Sequence, residues 1–167
     1  MSESLVIDKV KEGDTTRLIF KGDLDENADF SSVNLGVVKN LVFDMGALRI
    51  LNSIGIRSWL LWIKKFINGC NLVFVNCPHH VICQMNILHG FLPFSARVES
   101  FYIPYYCKSC DKRENILATR GKDFMEATAD TKEGISISDE MLCPVCQQTM
   151  EIDVSKDNHF NFLKYRK

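Results

Sequence analysis

Two Cys-x2-Cys pairs, Cys107-Lys-Ser-Cys110 and Cys143-Pro-Val-Cys146, constrain the second half of this chain more than any other feature. Two residues between cysteines let both sulfurs point inward from one tight turn, where backbone amides beyond the first cysteine can hydrogen-bond the thiolates. Two such turns complete a tetrahedral site. Four thiolates leave no open coordination position, so Cys107, Cys110, Cys143 and Cys146 predict a structural metal rather than a catalytic one. Zn2+ is the favoured ion, and residue type alone also admits an iron–sulfur centre. A redox-active pair is disfavoured, because such a pair sits between a strand and a helix and is not accompanied by a matched second pair. Thirty-two residues lie between Cys110 and Cys143, more than a compact metal ribbon needs. The excess predicts an insertion over residues 112–141, with ribbon strands at 115–120 and 150–154.

The other three of the seven cysteines, Cys70, Cys77 and Cys83, fall in or beside predicted strands and a helix, where cysteine behaves as a small hydrophobe. His79 and His80 lie among them, but this group shows none of the usual ligand-pair spacings, and a second metal site is not expected there. The N-terminus carries acids where a secretory signal wants basic residues, which points to a reducing cytoplasm and away from a disulfide framework. The longest apolar candidate, residues 54–66, contains Arg57, Lys64 and Lys65, so no membrane span is expected.

With 46% hydrophobic residues in 167, the chain can bury one ordinary core and carry a small appendage. Residues 5–10 and 15–20 read as a hairpin around Gly13 and Asp14. The acid-rich stretch at 26–33 predicts a short helix, since carboxylates near a helix N-terminus oppose its dipole favourably. Residues 40–45 and 71–76 are short apolar runs of the kind that form strands buried on both faces. Between them, a helix starting after Asn52 or Ser53 and running to Asn68-Gly69 places Ile56, Leu60, Ile63 and Ile67 on one stripe. Leu61 and Trp62 fall off that stripe, beside Arg57, as apolar residues where solvent is expected: either a partner surface or isolated exposed side chains. A helix over 80–88 and an edge strand over 97–103 complete the unit. Strand, helix, strand implies a parallel crossover. Pro104 marks the boundary with the ribbon.

The first hundred residues resemble the STAS domain, the sulfate-transporter and anti-sigma-factor-antagonist family. Thr16-Arg-Leu-Ile-Phe-Lys-Gly-Asp-Leu-Asp25 looks like that family's second strand and its Gly-x-Leu-Asp corner. Leu41-Val-Phe-Asp-Met45 looks like its third strand, and Leu51-Asn-Ser-Ile-Gly-Ile56 like its Asp-Ser-Ser-Gly-Leu loop entering the main helix. The resemblance implies an α/β fold: a STAS-like mixed β-sheet with helices at 1–103, then a small zinc-ribbon-like β unit with a C-terminal tail at 104–167.

In bacterial anti-sigma factor antagonists the first serine of that loop is phosphorylated by a partner serine kinase. Ser53 occupies its position, while Asn52 stands for the family's aspartate and Ile54 for its second serine. The resemblance therefore implies a non-enzymatic cytoplasmic interaction module, with Ser53 as phosphorylation site and an anti-sigma-type kinase and a phosphatase as partners. Asn52, Ile54, Arg57, Leu61 and Trp62 are the candidate partner surface. The competing reading makes Asn52 or Ser53 a simple helix cap and the domain a phosphorylation-independent scaffold in a signalling or transport complex. A nucleic-acid-binding ribbon is disfavoured, because Lys108, Lys112, Arg113, Arg120 and Lys122 are offset by Asp111, Glu114, Asp123 and Glu126. No Ser-His-Asp set, phosphate loop or open metal motif is legible, so no enzymatic activity is expected. The tail from His159, mixing aromatic and basic residues, is read as either docked on the ribbon or left for a partner.

Overall fold

The computed structural model describes residues 1–164. A hairpin opens the chain: β1 (Val6–Glu12) and β2 (Thr15–Leu24) pair antiparallel across a turn at Gly13. β3 (Asn40–Leu51), α1 (Ser53–Ile63), β4 (Asn71–Val75), α2 (His79–Ile87) and β5 (Arg97–Val98) follow. The five strands form one sheet in the order β1-β2-β3-β4-β5, parallel from β2 onward. The chain is thus a mixed α/β fold, and the strand–helix–strand order did signal parallel pairing.

Alternate residues of the sheet, Leu18 and Phe20, Leu41, Phe43 and Met45, Leu72 and Phe74, are buried on one face. Val42, Val73 and Val75 between them stay half-buried, so β3 and β4 are covered on one side only, not on both as their apolar runs predicted. Helix α1 packs on the covered face. Trp59 meets Phe20 and Phe43 edge-on, with ring centroids 5.7 and 5.6 Å away, and its Nε1 donates to the Phe91 carbonyl at 3.1 Å. Trp62, expected in solvent, is only 4% exposed and stacks on Phe30 at 4.8 Å. The buried face is Gly55, Ile56, Trp59, Trp62 and Ile63, because the α-helix gives way at Lys64 to a 3-10 turn and the 25–39 connection folds Phe30 over its flank.

That connection is not the helix predicted at 26–33. The Asp25 carboxylate accepts the Asn27 amide at 2.9 Å and Asp29 accepts that of Ser31 at 2.8 Å, so these acids close local turns in place of opening a helix. Two glycines fix the close approaches at the end of β2. Gly22 has φ +86°, and a Cβ there would lie 2.6 Å from the Ser4 carbonyl oxygen. At Gly55 a Cβ would lie 2.0 Å from the Leu24 carbonyl oxygen, so only glycine lets α1 sit this close to β2. Gly55→Ala is expected to cost about 3 kcal/mol, near the upper end for overpacking, because the obstacle is backbone. A shift of the denaturant midpoint equivalent to less than about 0.5 kcal/mol would show that α1 sits further from β2.

The second sheet begins before the expected boundary. The edge strand predicted at 97–103 is present only as β5, and a second strand, β6 (Ser100–Cys107), takes the rest of that span into the other sheet and runs straight through Pro104. Pro104 is tolerated because it sits where the ladder to the neighbouring strand stops, that ladder pairing only Tyr105 and Tyr106. β7 (Lys112–Thr119), the short pair β8 (Phe124–Met125) and β9 (Gly134–Ile135), β10 (Glu140–Leu142) and β11 (Thr149–Ile152) complete this half. The order β10-β11-β6-β7 sets two antiparallel hairpins side by side.

The halves are joined by backbone and by side chains. The Glu99 amide donates to Phe74 at 2.8 Å and the Tyr102 amide to Cys77 at 2.9 Å, fastening β6 to the end of β4. After α3 (Lys156–His159), a 3-10 turn over Asn161–Leu163 brings the tail back against the first half. Asn86 of α2 clamps it: its Nδ2 donates to the His159 carbonyl at 3.0 Å, and its Oδ1 accepts the Phe162 amide at 2.7 Å. His159, Phe160, Phe162 and Leu163 are buried, with the Phe162 ring edge-on to Phe101 at 5.1 Å. Asn86→Ala is expected to cost about 1–3 kcal/mol, since both tail groups lose their partner, and to speed amide exchange at 159–163. Unchanged exchange there would show that the aromatic contacts alone hold the tail.

Candidate metal centre

Each cysteine pair sits at the tip of a hairpin. Cys107 ends β6 and Cys110 precedes β7, while Cys143 and Cys146 lie between β10 and β11. Because β11 pairs with β6, the two tips face each other. The four sulfurs all lie within 4.8 Å of one another, with Cys107 to Cys146 at 3.5 Å and Cys110 to Cys143 at 3.6 Å. A tetrahedral ion with metal–sulfur bonds of about 2.3 Å separates its ligands by about 3.8 Å, whereas a disulfide would need about 2.05 Å. The observed spacing fits an ion.

The turns show why the spacing works. The residue after each second cysteine, Asp111 at φ 55° and Gln147 at φ 62°, is left-handed. That reversal turns the following backbone back on the cysteines, and Gln147 and Cys143 close the second turn with amide bonds of 3.0 and 2.8 Å. Desolvation pushes the Cys107 thiol up, but the amides of Cys110 and Ser109, together with the Cys146 side chain, outweigh it and bring the group down to about 7. Desolvation and the neighbouring thiols push Cys110 up to about 12. Four thiolates this close cannot all ionise unaided, and a bound cation would supply the missing charge. The set closes with one half-buried and one buried sulfur per turn, as a structural site requires. Four thiolate donors suit zinc or iron alike, and their spacing suits a single ion rather than a multi-iron cluster.

The basic residues around the site are largely spent on neighbours. Lys108 pairs with Glu151 at 3.0 Å, Arg113 with Asp153 at 3.1 Å, and Arg120 with Glu126 at 2.8 Å. The other cysteines are apart from the centre: Cys77 is fully buried, and burial followed by the charge of Asp44 pushes its thiol far up, out of reach of ionisation.

The candidate partner residues cluster at the start of α1. Asn52 is the helix cap, its Oδ1 accepting the amides of Ile54 at 3.1 Å and Gly55 at 2.9 Å. Its Nδ2 donates to Glu26 at 2.6 Å. Ser53 is exposed, and among the described residues its hydroxyl makes no hydrogen bond. Ile54, Arg57 and Leu61 are exposed at helical spacing on the outer face, while Trp62 lies beneath it. A shallow cleft of about 320 Å³ between Phe30, Ser58, Leu61 and Lys65 adjoins them, with Trp62 in its lining.

Sequence reasoning missed His159, buried in the seam between α2 and β6, and its only signal was the aromatic residues that follow it. Among the described residues no helix is long and apolar enough to cross a membrane. No family model, no curated protein and no solved structure matches this chain.

Proposed function

We propose that the chain is a non-enzymatic protein-interaction module of STAS type acting in the bacterial cytoplasm, switched at Ser53 and stabilised by a structural zinc ribbon. The observation that carries this reading is the exposed, unpartnered Ser53 hydroxyl in the first turn of α1, beside the stripe of Ile54, Arg57 and Leu61. Capping is already done by Asn52, so Ser53 is not needed for the helix. A phosphate there adds close to two negative charges at a helix N-terminus, which tolerates them without melting. It would sit on the rim of the outer stripe and repel an acidic or apolar partner surface. The kinase would be a serine kinase of the anti-sigma type, opposed by a phosphatase.

Phosphosite mapping of the protein isolated from its own cells, with and without growth stress, tests this. The expected result is a phosphate on Ser53 whose occupancy changes with condition. Ser53 unmodified under every condition would discard the switch. The Glu26 carboxylate beside Asn52 favours the second reading, a phosphorylation-independent adaptor, because it already places negative charge where the phosphate would go. In that reading Ser53→Asp leaves partner capture unchanged, whereas the switch requires that it weaken it. A nucleic-acid role is not favoured, given the ion pairs that occupy Lys108, Arg113 and Arg120.

A further inference from the structure

His79 and Cys83 stand four residues apart on α2, a spacing that presents two ligands on one helix face, and folding adds a residue that lies far away along the chain. The tail seats His159 against α2, its ring centroid 5.0 Å from that of His79. Cys83 lies one helical turn after His79, and its Sγ is 3.6 Å from His79 Nε2. A tetrahedral zinc ion with bonds of about 2.05 Å to nitrogen and 2.3 Å to sulfur holds such a pair about 3.6 Å apart.

His159 is 4% exposed, and apart from a contact with the Tyr102 backbone too poorly aligned to count as a full hydrogen bond, its ring nitrogens have no partner. Such a group is costly to bury and calls for a missing partner, which water, an ion or a ligand would supply. The His159 ring must turn for a nitrogen to face His79 and Cys83, since the three ligand atoms do not yet converge, and the turn gives up only the weak contact with the Tyr102 backbone. The three side chains line a cleft of about 310 Å³ with Asn86, Ser155 and Asn158, which leaves solvent access for a fourth ligand.

We propose that His79, Cys83 and His159 form a second, exchangeable site for a borderline divalent metal ion, zinc in the first instance, that staples the C-terminal segment to α2. Two nitrogens and one sulfur suit zinc and its neighbours, and three protein ligands with an open position describe an accessible site. The site differs from the four-cysteine centre in this respect. Its ligands come from α2 in the middle of the chain and from the C-terminal segment, so metal occupancy and tail docking are linked: the ion adds stability only while the tail is docked.

Zinc alone is the probe. Native mass spectrometry of the full chain, titrated with zinc, is expected to show two ions per chain, the second removed by chelator concentrations that leave the first. Cys83→Ser and His159→Gln are each expected to hold one ion. Cys83→Ser keeps the side-chain volume on a half-exposed helix face, so it separates ligand loss from any misdocking of the tail in His159→Gln. With cobalt in place of zinc, the second equivalent should add sulfur-to-cobalt charge-transfer absorption in the wild type and none in Cys83→Ser. A wild-type chain that takes no ion beyond those retained by Cys83→Ser, or variants that bind as many ions as the wild type, would overturn the proposal. Neither result bears on Ser53.

Discussion

Cys107→Ser combined with Cys143→Ser, or removal of the metal by a chelator, is expected to melt the β6–β7 and β10–β11 hairpins while the five-stranded sheet stays folded. These hairpins have little to hold them otherwise. Along β7 only Ala118 is buried, and in β10 and β11 only Met150. Structural zinc contributes on the order of 10–16 kcal/mol of folding free energy in comparable small units, as much as a whole domain's usual stability. The first sheet has an aromatic core of its own, Phe20, Phe43, Phe74 and Trp59 packed ring on ring, although one buried cluster runs on from it to Cys107 and Cys143. Hydrogen exchange read by mass spectrometry checks the prediction peptide by peptide. Protection should collapse over 103–119 and 140–152 and survive over 15–24, 40–51 and 71–75. The seam of α2, β6 and the tail should lose protection in part, because Phe101 holds both Phe160 and Phe162. Collapse of the first sheet as well would show that the buried cluster shared by both halves is one cooperative unit. Hairpins that stay protected without metal would show that the cysteines do not hold them.

What was legible in the sequence was whatever short-range chemistry dictates. The cysteine turns were readable because two intervening residues and a reversal after the second cysteine are local requirements, met at Asp111 and Gln147. The hairpin, the parallel strands and the two main helices were readable from periodicity and turn residues. Failures fell where distant segments decide. The 26–33 stretch forms turns because Asp25 and Asp29 bind amides two residues on, leaving Phe30 to cover α1, which helix propensity cannot register. Pro104 looked like a boundary, but whether proline breaks a strand depends on which neighbour needs its amide: Pro104 meets the chain just past the end of β11, where Asp153 uses only its carbonyl, at 2.8 Å. His159 drew no attention because its neighbours, His79 and Phe101, lie far from it in sequence.

The adjacent pair Leu61 and Trp62 carries the most direct test of the remaining surface. From sequence both stand off the predicted apolar stripe, and both would be interface candidates; in the fold they part company, Leu61 being 60% exposed and Trp62 4%. Trp62→Glu is expected to unfold the first half at ordinary temperature. Truncating a buried tryptophan costs about 3–5 kcal/mol, and a carboxylate left unpaired against Phe20, Phe30, Phe43 and Phe66 adds to that. The sum consumes most of a typical 5–15 kcal/mol stability. Leu61→Glu, one residue earlier, should change stability by no more than about 0.5 kcal/mol. Circular dichroism melts of the two variants measure this contrast directly. A folded Trp62→Glu protein would mean that the 25–39 connection does not cover the helix in solution and that Trp62 belongs to the binding face after all. If Leu61→Glu keeps the wild-type melt yet fails to capture a partner that the wild type captures, the stripe of Ile54, Arg57 and Leu61 is the docking face, because a charge on a surface that contributes nothing to folding can act only on what binds there.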